Sequence, residues 1–95
     1  MRIIKKAALV NFWDIHNGAK APLTSCYSIA LKSQFKDFND LKISLGQVDY
    51  VEGKYIFNIG SAYRLVAAIH FNRQMVFIRH VLTHAEYERG KWKKT

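Results

Sequence analysis

Residues 55–87 decide the fold, and they read YIFNIGSAYRLVAAIHFNRQMVFIRHVLTHAEY. Three strand-like segments with alternating apolar residues run through this stretch and are separated by short polar turns. Two of the segments carry an arginine, Arg64 and Arg79, and the last segment leads into His84. Guanidinium groups beside a titratable imidazole are suited to a phosphodiester. The stretch therefore predicts an antiparallel meander with a site for a phosphodiester at one end.

The alternation also predicts how the strands of the meander pair. If Arg73-Gln74 is a two-residue hairpin loop, one face of the sheet is nearly apolar and meets the helices. The pairs on that face are Leu65 with Leu82, Ala67 with His80, Ile69 with Ile78 and Phe71 with Val76. The opposite face pairs Arg64 with Thr83 and Ala68 with Arg79, and it also carries Lys54, Ile56 and Asn58. The prediction is thus one open, basic sheet face.

The chain before the meander supplies one strand and two helices. Arg2 to Lys5 can form a short strand, and from Ala7 an apolar stripe at helical spacing predicts an amphipathic helix that ends near Asn17-Gly18. Pro22 suits the first turn of a second helix. A short helical turn over 38–45 and a strand over 48–51 follow. This order predicts an α+β fold with the N-terminal strand and two helices packed on one face of a small antiparallel sheet.

Size and charge limit the function classes. The 95 residues predict a single domain, residues 1–95, with no room for a separate cofactor-binding lobe. Fifteen Lys and Arg against seven acidic residues give a formal net charge of +8. This excess favours a polyanion, first of all a nucleic acid, with an anionic membrane or an acidic protein surface as alternatives.

Cysteine use and hydropathy predict the compartment. Cys26 is the only cysteine, which excludes an intrachain disulfide and a zinc site built from several cysteines. Nothing resembles a signal peptide or a membrane span. The expected location is a reducing cytoplasm, with no membrane partner.

His84 is the sharpest candidate for chemistry. It follows Thr83, a good N-cap for a helix through Tyr87, and an unperturbed histidine has a pKa of about 6.5. Arg64 and Arg79 present donor forks that match phosphate oxygens, and Lys54 follows a turn. Each candidate also has a purely structural alternative. The arginines can be solvated charges on the sheet face or ion-pair partners of Glu86 or Glu88, and the histidine or tyrosine can serve only in capping or packing. His80 and His84 are four residues apart, but His80 lies in a strand and no third ligand is evident, so no metal site is predicted.

The chain resembles the HigB-type toxins, which belong to the RelE-like group of type II toxin–antitoxin systems. The resemblance is full-length and rests on a specific combination of motifs in one order. These are Phe12-Trp13, Pro22-Leu23, residues 38–41, Phe57-Asn58-Ile59-Gly60, Tyr63-Arg64-Leu65, Val76-Phe77-Ile78-Arg79 and Thr83-His84-Ala85-Glu86-Tyr87. Two departures stand out: Ser61-Ala62 replaces an Asn-containing turn, and His80 stands where an aromatic residue is frequent.

The resemblance implies a RelE-like fold and a ribosome-dependent endonuclease that cleaves translated mRNA. It implies attack of the substrate's own 2′-OH on the adjacent phosphate, with no metal or other cofactor. It also implies a helix-turn-helix antitoxin of the HigA type, with DNA contacted only indirectly through the antitoxin complex. Arg64 matches the family's sheet arginine, His84 and Tyr87 match its C-terminal histidine and tyrosine, and Arg79 matches a frequent basic position.

Arg64, His84 and Tyr87 are thus the expected catalytic residues. The expected RNA-binding residues are Lys54, Arg79, Lys91, Lys93 and Lys94. The rival hypothesis is a non-catalytic RNA- or ribosome-binding module with the same basic face. A DNA-binding repressor subunit is disfavoured because no helix presents basic residues at recognition spacing. An enzyme needs His84 and Tyr87, whereas a binding module needs mainly charge, and whether His84 is a general acid or a general base stays open.

Overall fold

The computed structural model describes residues 1–94 of the chain. Within them, helices and strands follow each other in this order: β1 Arg2–Ile4, α1 Lys6–Ile15, α2 Lys20–Lys32, α3 Phe38–Ser44, β2 Val48–Val51, β3 Lys54–Ile59, β4 Tyr63–His70, β5 Met75–Thr83 and α4 His84–Arg89. Three short 3₁₀ helices accompany them, Asn17–Ala19, Phe71–Arg73 and Lys91–Lys94. No helix in residues 1–94 has both the length and the apolar character needed to cross a membrane.

The strands form one five-stranded sheet in the order β1-β5-β4-β3-β2. The antiparallel meander from β2 to β5 is confirmed. β1, however, pairs in parallel with β5, so the sheet is mixed and not wholly antiparallel as predicted. The predicted α+β class is confirmed.

The main core lies between the helices and one face of the sheet. Its buried members include Leu9 of α1, Leu23 of α2, Leu41 of α3 and Leu65 of β4. Full burial of a leucine side chain contributes about 1.5–3 kcal/mol, so this layer holds the helices on the sheet. The helices therefore cover one face of the meander, and the opposite face is left for the candidate site.

The β4–β5 hairpin differs from the predicted two-residue loop. His70 pairs with Met75, and the loop between them contains the 3₁₀ helix Phe71–Arg73 and Gln74 in the left-handed conformation at φ 53°. The Gln74 amide donates to the Phe35 carbonyl at 2.6 Å and to the Phe71 carbonyl at 2.7 Å. These bonds stabilise the wider loop, and Ile69, not Phe71, pairs with Val76.

A β-bulge in β5 accounts for the other wrong pairs. Val66 pairs with His80 and Ala67 with Ile78, so Arg79 is an extra residue and the alternation of β5 inverts after it. Beyond the bulge the remaining pairs are Leu65 with Val81, Arg64 with Leu82 and Tyr63 with Thr83. The predicted pairs Leu65–Leu82, Ala67–His80, Arg64–Thr83 and Ala68–Arg79 are therefore wrong. His80 lies on the face of the sheet away from the main core.

The face of the sheet away from the main core is partly covered. The prediction of one open basic face is therefore wrong. Trp92, in the 3₁₀ helix after α4, is only 3% exposed and packs with Ile56 and Val66. Val51, Leu82 and Tyr87 surround them. We call Ile56, Val66 and Trp92 the outer cluster. Since Ile56 lies between Lys54 and Asn58 along β3, the outer cluster divides the polar residues of this face into two groups.

Candidate active site

The start of α4 is fixed by a capping box in which Thr83 is the N-cap, the role predicted for it. The Thr83 hydroxyl accepts from the Glu86 backbone N–H at 3.2 Å, and the Glu86 carboxylate accepts from the Thr83 N–H at 3.0 Å. The hydrogen bond from the Thr83 backbone lowers the pKa of Glu86. In addition, the His84 N–H donates to the Ala62 carbonyl at 2.8 Å, which ties the first residue of α4 to the β3–β4 loop. The backbone of His84 is thus held from two sides.

The His84 side chain meets Arg64. Nη2 of Arg64 lies 3.2 Å from Nδ1 of His84, and Nη1 donates to the Tyr63 carbonyl at 2.8 Å. A guanidinium can only donate, so Nδ1 is the acceptor and the imidazole in this contact is neutral. Its proton is then on Nε2, which lies 3.2 Å from Oε1 of Glu88. Arg64, His84 and Glu88 form a row of donor and acceptor contacts.

Tyr87 supports Arg64 from the next turn of α4. Cζ of Arg64 lies 5.8 Å from the centroid of the Tyr87 ring, within the range of a cation–π contact. The same ring stacks on Trp92, with centroids 5.1 Å apart and planes 8° from parallel. The Trp92 indole N–H also donates to the Tyr87 carbonyl at 3.0 Å. The outer cluster therefore fixes Tyr87, and Tyr87 helps to fix Arg64.

The site is a shallow surface and not a buried cavity. The side chains of His84 and Glu88 are 53% and 63% exposed, and Arg64 is half-buried. Beside Arg64 opens a pocket of about 500 Å³ that is otherwise lined by Gln47, Asn58, Gly60 and Ser61. A large, flexible substrate can reach all these groups.

Lys54 and Arg79, two of the expected RNA-binding residues, lie near His80 and not near Arg64. Burial and then the charges of Lys54 and Arg79 lower the pKa of His80, which places the three groups together. The outer cluster separates this group from Arg64. The structure thus brings the three expected catalytic residues together and places these two basic residues apart from them.

The expected tail residues lie along the 3₁₀ helix that follows α4. Lys91 is exposed and lines a second open pocket with Arg89 and His80. Nζ of Lys93 lies 5.7 Å from the Trp92 ring centroid. The side chain of Lys94 lies outside what the structure describes.

Sequence reasoning missed the roles of Glu88 and Trp92. The i,i+4 spacing of His84 and Glu88 on a helix was a usable signal, because such residues are neighbours on one helix face. Gly90, the C-cap of α4, has a φ of 74° and turns the chain at the end of the helix. Trp92, two residues later, can therefore fold back onto the sheet. In the described residues, no three His, Cys, Asp or Glu side chains are grouped as a metal site.

The chemistry available at this site is charge neutralisation and proton transfer. Arg64 is permanently charged and can hold a phosphate through two parallel hydrogen bonds. The neutral imidazole of His84 offers an acceptor nitrogen on the side of Arg64 and a donor nitrogen toward Glu88. A phosphodiester bound at Arg64 would place its reacting atoms beside the imidazole.

Comparison with known proteins agrees with these features. The HigB_toxin family model, which describes the RelE-like toxic component of a toxin-antitoxin system, matches residues 19–90. The chain is 33% identical over 92 residues to the mRNA interferase toxin HigB of Escherichia coli (strain K12), covering 93% of this chain and 88% of that protein. The mRNA interferases HigB of Escherichia coli O157:H7 and of Shigella flexneri show the same identity and coverage.

Proposed function

The chain belongs to the HigB family of RelE-like toxins, and on that premise we infer that it is an endoribonuclease that cleaves mRNA. It is the toxic component of a toxin–antitoxin system, with an antitoxin as its partner. The observation that carries the nuclease assignment is the contact of Arg64 with His84 beside Tyr87. A module that binds RNA by charge alone would not need an arginine held against a neutral histidine.

Cleavage proceeds by attack of the 2′-OH of the message on the adjacent phosphate. His84 Nδ1 takes the proton from the 2′-OH, the O2′–P bond forms and the P–O5′ bond breaks. The leaving O5′ takes up a proton from the Tyr87 hydroxyl or from water. The products are a 2′,3′-cyclic phosphate and a 5′-OH. Arg64 donates to the nonbridging oxygens, where charge accumulates in the transition state.

The tautomer of His84 supports the role of general base. The contact with Arg64 makes Nδ1 the acceptor, and that guanidinium is its only described contact. When a phosphate takes the donors of Arg64, Nδ1 becomes free to accept a proton at the same place. Glu88 holds the Nε2 proton and so keeps the ring in the tautomer that has an acceptor toward the substrate.

The ribosome supplies the alignment that this sparse site lacks. One positioned base is worth about 10²–10⁴ in rate, which is less than a nuclease needs. Holding the 2′-OH in line with the leaving oxygen supplies a further large factor, and a message fixed in translation satisfies that need. Lys54, Arg79, Lys91, Lys93 and Lys94 contact phosphates away from the cut.

The antitoxin is a helix-turn-helix protein of the HigA type, and DNA is reached only through the complex with it. The toxin acts in the cytoplasm, where translated messages are found. It requires no metal or other cofactor for the chemical step.

Expression in cells with and without the antitoxin tests the proposed function. The toxin alone should arrest growth and create new 5′ ends inside coding regions, detectable by primer extension on total RNA. Co-expression of the antitoxin should remove both effects, and His84→Gln at equal protein level is the matched control. Arrest with intact messages would replace the nuclease by an RNA- or ribosome-binding module.

A further inference from the structure

We propose that the second open pocket, at the junction of β5 and α4, binds one further phosphate of the message through Arg89 and Lys91. Because this phosphate belongs to the strand whose scissile phosphate binds Arg64, the assignment rests on the proposed function. It gives the substrate a second anchor at a fixed distance from the cut. The residues that line this second pocket are His80, Leu82, Glu86, Arg89, Lys91 and Trp92.

The second pocket lies beside the catalytic row on the same face of the sheet. Leu82, part of its wall, is the direct partner of Arg64 across β5 and β4. His80 pairs with Val66, which is two residues from Arg64 along β4. Two residues of a strand span roughly 7 Å, a separation that an extended RNA strand can bridge between neighbouring phosphates. The pocket is therefore within reach of the strand that is bound at Arg64.

Positive charge is concentrated at the second pocket. Arg89 and Lys91 line it, and both residues are exposed. Burial and then the charges of Lys54 and Arg79 lower the pKa of His80, so the positive field of those two residues also reaches the pocket. A phosphate is the group of RNA that such a field attracts.

Glu86, the one carboxylate in the described lining, does not cancel this charge. Its Oε1 accepts from the Thr83 N–H at 3.0 Å and from the Thr83 hydroxyl at 3.1 Å. The hydrogen bond from the Thr83 backbone is the largest cause of the lowered pKa of Glu86, and the charge of Arg89 contributes to it. Two cations thus share the pocket with one carboxylate that is already hydrogen-bonded, and the balance stays positive.

The size and the apolar wall of the second pocket suit a phosphate together with its sugar. Its volume is about 310 Å³, at the lower end of the roughly 300–1,000 Å³ of small-molecule sites. Leu82 and Trp92 form an apolar wall on which a ribose can pack. Trp92 is buried in the outer cluster, and this holds the backbone of its neighbour Lys91 at the pocket.

Loss of the two cations should slow cleavage because the substrate is bound less well. One exposed contact between opposite charges is worth up to about a factor of five. Arg89→Gln should therefore lower the rate at subsaturating toxin up to about fivefold, and the double variant Arg89→Gln, Lys91→Gln up to about 25-fold. A message that has no charge at the bound linkage loses the same contacts, so neutral linkage and double variant should not add.

The experiment uses the full-length toxin on ribosomes programmed with five messages. One message is unmodified, and each of the others carries one neutral methylphosphonate linkage, at one of the two linkages nearest the cut on either side. Single-turnover rates are measured for wild type, for Arg89→Gln and for the double variant. Comparing the slowing by each linkage between variants cancels any effect of the linkage on the ribosome.

The matched control is the double variant Arg2→Gln, Arg73→Gln. It removes the same total charge from exposed residues on β1 and in the β4–β5 loop, outside the second pocket. Its rates on the five messages should keep the wild-type pattern. Arg89→Gln alone, a change at one exposed residue, answers the question even where the double variant fails to fold.

The outcomes separate the second pocket from the nuclease assignment. One linkage whose neutralisation slows the wild type and the control, but has little further effect in the pocket variants, supports the phosphate site. Equal slowing in wild type and pocket variants, or none at any linkage, overturns it and leaves the nuclease intact. Pocket variants that are slower on all five messages alike would assign the pocket to ribosomal RNA and overturn its assignment to the message. A wild-type toxin that does not cut the unmodified message overturns the proposed function, and the phosphate site with it.

Discussion

Nη2 of Arg64 and Nδ1 of His84 lie 3.2 Å apart, although the two residues are twenty positions apart in the chain. Arg64 lies on β4, the central strand of the sheet, and His84 is the first residue of α4. The contact requires a neutral imidazole that carries its proton on Nε2, because the guanidinium has no acceptor. It therefore assigns a tautomer to the histidine and a position to the arginine.

Arg64→Ala should reduce cleavage by about 10²–10³, the usual cost of removing one donor that stabilises the transition state. Arg64→Lys should rescue only part of the rate, since lysine keeps the charge and loses the fork. Ribosome association, measured by co-sedimentation, should weaken in Arg64→Ala and persist, because one phosphate contact is a fraction of the total. The control is the double variant Lys91→Gln and Lys93→Gln, which should bind less tightly and still cut. An inactive control and an active Arg64→Ala would show that the site is misplaced.

Glu88→Ala should alter the tautomer of His84 and lower cleavage only modestly. The His84–Glu88 pair is largely exposed, and exposed pairs contribute up to about 1 kcal/mol, so the rate should fall at most about fivefold. Nitrogen-15 NMR of the wild-type imidazole should show a protonated Nε2 and an unprotonated Nδ1. In Glu88→Ala the two tautomers should be mixed, whereas Glu52→Ala, a change in the distant β2–β3 turn, should leave the spectrum unchanged. A wild-type ring protonated on Nδ1 alone would contradict the assignment.

Trp92→Ala should destabilise the whole protein and also impair the site. Trp92 is buried on Ile56 and Val66, and truncation of a buried tryptophan typically costs about 3–5 kcal/mol. The measurement is urea unfolding followed by circular dichroism, with Trp92→Phe as the milder control that keeps the stack on Tyr87. If Trp92→Ala unfolds at the wild-type midpoint, the outer cluster does not form.

Glu86→Gln should weaken the capping box of α4 in a pH-dependent way. The folded-state pKa of Glu86 is depressed below 4.5, chiefly by the hydrogen bond from the Thr83 backbone. Its carboxylate therefore stabilises the folded state above pH 4.5, and this contribution is lost as the pH falls through the folded pKa. The difference in unfolding free energy between wild type and Glu86→Gln should be present at pH 7 and shrink below pH 4.5. A difference that grows on acidification would contradict the capping box.

Much of the fold and site followed from local patterns. The alternation in β3 and β4 was sufficient to put Phe57 and Leu65 in the core and Arg64 on the other face, and all three placements are confirmed. Thr83 as an N-cap predicted the start of α4, and this placement is confirmed. Local chemistry thus fixed the elements that carry the site.

The errors came from features that local alternation does not determine. In β5 the core positions are 76, 78 and 81, but residues 77 and 82 are equally apolar, so the sequence does not show the break in the two-residue period that the bulge at Arg79 introduces. The wider hairpin loop depends on hydrogen bonds of Gln74 to Phe35, thirty-nine residues away. The burial of Trp92 likewise depends on tertiary packing, and a tail rich in lysine gave little reason to expect it.

Single-turnover cleavage by His84→Gln on programmed ribosomes is the decisive test of proton transfer by His84. The matched control is His70→Gln, an exposed histidine at the far end of β4. We expect His84→Gln to cut about 10²–10⁴ times more slowly than wild type, as loss of a proton-transfer group requires. Wild-type products should carry 2′,3′-cyclic or 3′-phosphate ends and 5′-OH ends, and His70→Gln should match the wild type. A wild-type rate in His84→Gln would show that His84 transfers no proton in the reaction.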